Sequence, residues 1–170
     1  FILSKFLNVL LYAAASTILV FVVSLVLGLI FSDFDEASII FSDLEYVFAY
    51  FVKLLGFFSL CMFLGIFVKR SAFALGFLFL IWVIEGIIYL VITFQLKVLK
   101  PLIQFMPLES MSNLIKEPVT RLNIVKSTAQ SVNPEFVKNY DVSLLSIIIV
   151  LVWTFIFVYG SLLVLKKRDL

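Results

Sequence analysis

Residues 60–90 read LCMFLGIFVKRSAFALGFLFLIWVIEGIIYL. Two apolar runs meet at Lys69, Arg70 and Ser71, and the second run holds one carboxylate, Glu85. A helix needs about 20 apolar residues, at about 1.5 Å each, to cross a hydrocarbon core about 30 Å thick. Each run is long enough. The stretch therefore reads as a tight helical hairpin in a bilayer, and basic residues at a short turn place that turn on the cytoplasmic side.

Working outward, the same pattern recurs along the chain. Four segments qualify as spans: 6–31, 46–68, 71–96 and 142–165. The first has no charge and is interrupted only by Asn8, Ser16, Thr17 and Ser24; the second carries Lys53, the third Glu85, and the fourth no charge. Strands of a membrane barrel alternate every second residue over about 10 residues, so these continuous runs exclude them. Helices also satisfy their own backbone polar groups, as lipid requires. The fold class expected is an all-α membrane protein, a single domain over residues 1–170. It is a bundle of four transmembrane helices with a short amphipathic extracellular helix between the last two spans.

Composition supports this reading and excludes several functions. The chain is 64% hydrophobic and 14% charged, where a soluble domain is about half apolar and about a quarter charged. A net charge of +2 is too small to imply nucleic acid. There is no histidine, which removes His-based metal sites and His general bases. The single cysteine, Cys61, has no partner for an internal disulfide and reads as a small core residue. No HExxH, GxSxG or phosphate-binding glycine loop occurs. An enzyme is not expected, and neither is a cofactor. The chain opens at Phe1 rather than Met, and the expectation is that it is the C-terminal part of a longer protein.

Orientation follows from the short loops. Lys5 precedes the first span, Lys69 and Arg70 form the hairpin turn, and Lys166, Lys167 and Arg168 follow the last span. The first loop, 32–45, holds five acids and no basic residue. Both ends of the chain are then cytoplasmic and the acidic loop external. The loop 97–141 runs against this, with six basic residues on the external side. Its charges are mixed with acids over a longer segment, so the charges abutting the helices carry more weight.

Within that loop, Pro107 suits the first turn of a short helix ending before Pro118. Leu108, Met111, Leu114 and Ile115 fall on one face of it. Such a helix either lies at the outer interface or dips into it, or packs on the ends of the spans. Asn133, Pro134 and Glu135 look like a cap and first turn leading into the fourth span.

Two intramembrane charges are the candidate pathway or interface residues. Glu85 lies about 15 residues, roughly 20 Å, from the basic turn. Ionisable groups at such depth are costly and face a bundle interior or a watery cavity. One reading makes Glu85 a substrate or proton contact. The other makes it a structural group bonded to a neighbouring helix at Ser59, Ser16 or Thr17. Lys53 lies about two turns from its helix end, from which a lysine snorkels to the headgroups or pairs with Glu45 or Glu85. Small residues mark expected close approaches between helices: Ala13, Ala14, Ala15 and Ser16, the pairs Gly56 and Gly65, Gly76 and Gly86, and Gly160 with Ser161. Trp82 and Trp153 read as packing or lipid-facing bulk.

Three stretches together resemble the C-terminal part of an ABC-2-type permease, the membrane subunit of a bacterial ATP-binding-cassette exporter. They are the hairpin GIFVKRSAFALGFLFLIWVI, the proline-bounded PLESMSNLIKEP and the ending FVYGSLLVLKKRDL. The resemblance implies six membrane helices with both ends cytoplasmic, of which these four would be the third to sixth. It implies a re-entrant extracellular region between the last two. It implies two partners, an ABC ATP-binding subunit and a second permease subunit, in the bacterial inner membrane. The cytoplasmic coupling helix would precede this chain, leaving Lys5, Lys69, Arg70 and Ser71 as candidate contacts with the ATPase. Two competing readings are a non-transporting multi-pass scaffold, immunity or assembly factor, and a membrane enzyme with its catalytic residues elsewhere.

Overall fold

The computed structural model describes residues 2–31, 44–68, 71–95, 97–115 and 142–167. Among these residues nearly all of the chain is helical, with four helices long and apolar enough to cross a membrane. They are α1 (Ile2–Phe31), α2 (Leu44–Val68), α3 (Ser71–Phe94) and α5 (Leu144–Lys166). Between the last two, a 3-10 helix covers Lys97–Phe105 and a short α-helix, α4, covers Pro107–Ser112. The protein is a multi-pass membrane protein. Lys69 and Arg70, residues 32–43 of the acidic loop and the expected cap at Asn133–Pro134–Glu135 lie outside the described residues, and Glu45 falls in the first turn of α2.

The helices form where the apolar runs predict them, and their ends differ by a few residues. α1 begins at Ile2 and takes in Lys5, because a helix continues into the interface as long as no breaker stops it. α3 ends at Phe94, where the Gln95 amide closes a last turn on the Val91 carbonyl at 2.9 Å. The chain then continues in the tighter 3-10 form, with Pro101 inside it.

α2 is the centre of the bundle and packs against α1, α3, α4 and α5. Its main partner is α5. The core joins Val52, Leu60 and Leu64 of α2 to Val150 and Phe157 of α5, and Met111 and Leu114 complete it. A column of rings runs down this seam. Trp153 stacks on Phe157 with centroids 5.4 Å apart, Phe157 on Phe63 at 6.1 Å, and Phe63 on Phe67 at 5.9 Å. α3 leans on α2 through Ala74, Leu78 and Ile81, and none of its described side chains is fully buried.

Close approach between helices occurs at some of the small residues and not at others. A Cβ on Gly56 would lie 2.8 Å from Val150 Cγ1 and 3.1 Å from Met111 Cε. One on Gly160 would lie 3.0 Å from the Phe63 ring. Ala13 and Ser161 are fully buried. Gly65, Gly76 and Gly86 meet nothing within 4 Å, and Ala15 is exposed. The expectation that these small residues mark close helix contacts holds for Ala13, Gly56, Gly160 and Ser161 and fails, within this chain, for Ala15, for Gly65 on α2 and for both glycines of α3.

Candidate functional site

The site is built around the N-terminus of α4. A helix begins with backbone amides that have no partner in their own helix. Pro107 occupies the first position and has no N–H to satisfy. The next two amides, of Leu108 and Glu109, donate to the carboxylate of Glu85. Leu108 N–H reaches Oε1 at 3.2 Å and Oε2 at 3.1 Å, and Glu109 N–H reaches Oε2 at 3.1 Å. The fourth, of Ser110, closes on the Met106 carbonyl at 2.8 Å. Met106, the residue before the helix, offers no side-chain cap. Glu85 therefore caps α4 from another helix, and every amide of its first turn is accounted for.

The same junction is held from the other side. The indole Nε1–H of Trp153 on α5 donates to the Phe105 carbonyl at 2.9 Å. Glu85 lies nine residues before the end of α3, and Trp153 nine residues after the start of α5. Each is thus about 14 Å along its helix from the same end of the bundle. The segment from Lys97 to Ser112 accordingly plunges about halfway into the span and turns there. Irregular backbone at membrane depth is tolerated only where protein or a watery cavity covers it. Here a carboxylate and an indole supply the missing partners. α4 dips in rather than lying flat or capping the bundle, and it ends at Ser112, short of Pro118. Met111 and Leu114 are buried and Leu108 and Ile115 half-buried, so the expected apolar face is the one that packs.

Two clefts flank α4 and share Leu108 and Ser112. The larger, about 640 Å³, lies between α3 and α4 and is lined by Trp82, Glu85, Gly86, Tyr89 and Glu109 among others. Glu109 Oε1 accepts a long hydrogen bond from Asn113 Nδ2 at 3.4 Å. The smaller, about 260 Å³, lies between α2 and α4 and is lined by Tyr50, Lys53 and Phe57. Lys53 is nine residues from the start of α2, so all three polar groups stand at one level of the bundle.

The sequence-derived candidates are partly brought together. Glu85 faces the re-entrant segment. Its suggested partners do not meet it: Ser59 Oγ donates to Leu55 of its own helix at 2.7 Å, and Thr17 Oγ1 to Ala13 at 2.8 Å. Lys53 borders the neighbouring cleft and, among the described residues, pairs with neither Glu45 nor Glu85. Lys5 is exposed near the start of α1, far along the chain from this level. Ser71 begins α3, and Lys69 and Arg70 lie outside the described residues. Sequence reasoning passed over Glu109 and read Trp153 only as packing or lipid-facing bulk, not as a hydrogen-bond donor. An acid in the first turn after Pro107 was a signal for the former. A tryptophan in mid-span, whose N–H needs a partner once buried, was one for the latter.

A family match spans all of this. The chain belongs, over residues 1–170, to the family described as "Protein of unknown function (DUF2705)". No curated protein and no solved structure matches it.

Proposed function

We propose that the chain is the membrane-spanning permease subunit of an ATP-binding-cassette exporter, forming the substrate path and driven by a separate ATPase subunit. The observation that carries this reading is the re-entrant segment between the third and fourth spans, fixed at mid-depth by Glu85 and Trp153. A re-entrant region at that place in the order of helices is what the resemblance to ABC-2-type permeases implies. The segment also puts Glu85, Glu109 and Lys53 beside clefts in the membrane half, as a path for a polar or charged substrate requires.

On this reading the subunit makes and breaks no covalent bond. ATP binding closes the ATPase dimer, and the closed dimer favours one arrangement of two membrane subunits over the other. The shift equals the difference in binding energy between those two states. A second permease subunit lies beside this one and completes the path. Both ends and the Lys69–Arg70–Ser71 turn face the cytoplasm of a bacterium, where the turn and Lys5 meet the ATPase.

The test is purification from native membranes in mild detergent, followed by identification of what comes with the chain. An ATP-binding subunit should co-purify, and Lys69→Glu with Arg70→Glu should release it. Recovery of the chain without any ATP-binding subunit would overturn the reading. So would labelling of a cysteine at position 70 by a membrane-impermeant thiol reagent added outside intact cells.

A further inference from the structure

We propose that the cleft between α3 and α4 binds an amphiphilic organic cation that enters sideways from the bilayer. This goes beyond the permease reading. It concerns binding by the chain itself, with no ATPase present, so its failure and that of the transport reading are separate results.

The cleft's volume, about 640 Å³, lies in the range of small-molecule sites, which are apolar with a few convergent polar groups. Its apolar walls include Val83, Ile87 and Leu90. Trp82, Glu85, Gly86 and Tyr89 follow one another at helical spacing along α3, so one stripe of that helix forms the floor. Gly86 lies between the aromatic residues with open space where a side chain would be. Trp82 is 63% exposed and Tyr89 42%, so the cleft opens through surfaces that face lipid.

The polar groups favour positive charge. Glu85 and Glu109 both line the cleft, and among the described residues no basic side chain does. Glu85 is held by two backbone amides, whereas the side chain of Glu109 has, among the described residues, one long contact, to Asn113. Lys53 borders the other cleft, across α4. Aromatic faces beside carboxylates are a setting in which a desolvated organic cation gains cation–π attraction. Two carboxylates and a serine hydroxyl fall short of the oxygen shell that a calcium ion takes, about six to eight ligands. An ion that reaches mid-membrane from the lipid side must carry its own apolar cover, which an organic cation does.

The experiment is equilibrium binding of radiolabelled tetraphenylphosphonium to the protein in lipid nanodiscs. Tetraphenylborate, of matching shape and opposite charge, is the control, with empty nanodiscs as the baseline for partitioning. Saturable binding near one cation per chain is expected, and none of the anion. Glu109→Gln should weaken it by about tenfold or more, the equivalent of about 1.4 kcal/mol. Gly86→Leu should weaken it similarly by filling the floor, and because nothing stands near Gly86 this variant keeps the test valid if Glu109→Gln fails to fold. The proposal is overturned by cation uptake no greater than that of empty nanodiscs, by equal uptake of the anion, or by unchanged affinity in the folded variants.

Discussion

α2 and α3 are the two arms of one hairpin, 25 and 24 residues long. Each carries one charged residue in its interior and two glycines, yet their fates differ. α2 has eight buried residues and touches every other described α-helix, whereas α3 has no buried residue among its described side chains. Apolarity cannot distinguish the arms, because lipid tails are as apolar as leucine and exert no hydrophobic push between helices. Shape and polar bonds decide instead. Gly56 of α2 lets Val150 and Met111 close on its backbone. α3 offers the fold chiefly one carboxylate, spent on the first turn of α4.

The sharpest way to break that contrast is Glu85→Leu. It removes the acceptor of three contacts and strands two amides at mid-depth. Hydrogen bonds to charged groups contribute about 1.5–3 kcal/mol, and a stranded buried donor costs about 1–3 kcal/mol. A loss on the order of 3 kcal/mol is expected in a reversible unfolding titration in mixed micelles. Ser110, now buried, should become reactive when replaced by cysteine in that background. Unchanged stability with an unreactive cysteine would show that α4 holds its place without α3.

The glycines of the two arms give the next effect. At Gly56→Ala the new methyl meets a branched side chain at 2.8 Å, and overpacking of this kind costs about 1–3 kcal/mol. Gly86→Ala enters open space and gains helix propensity, by up to about 1 kcal/mol. The two substitutions should therefore move the unfolding midpoint in opposite directions. If both destabilise equally, α3 is as tightly packed as α2 in the assembled protein, by a partner seated on it.

Much of this fold was legible in the residues alone, since four uncharged or singly charged runs of spanning length leave one solution in lipid. The short helix was legible at Pro107, and Glu85 was singled out by the cost of its depth. Its partner was not. A lone carboxylate satisfies its acceptors equally well on a hydroxyl such as Ser59 or on a stranded amide, and only the path of the chain after Phe94 selects between them. The same limit hid Lys97–Phe105, where Pro101 and mixed polarity give no helical period, and the partner of Trp153. The glycines were legible as places where helices could meet, but not which of them do.

Trp153→Phe tests the opposite wall of the junction. The ring stacking on Phe157 survives, and the lost bond to the Phe105 carbonyl has an expected cost of about 1 kcal/mol. The effect should be smaller than that of Glu85→Leu, since one neutral bond replaces three to a carboxylate. A double variant measures the coupling. Both groups hold one turn of backbone, so their combined loss should fall short of the sum of the single losses. Strict additivity would mean that the two walls are independent.

The smallest effect belongs to Ser59→Ala, and it sharpens the comparison because Ser59 is as buried as any residue in the protein. Its hydroxyl donates to Leu55 four residues back, a carbonyl that lies in the middle of α2 and already serves the helix ladder. Removing the hydroxyl strands nothing, since donor and need for a partner vanish together. The cavity left by one oxygen is smaller than a methyl group. A change below about 0.5 kcal/mol follows, the range of substitutions that touch no special feature. A loss comparable to that of Trp153→Phe would mean that Ser59 bonds across the bundle in the assembled protein. In that case burial on α2, and not only satisfied backbone on α3 and α4, would have to be counted as a polar anchor.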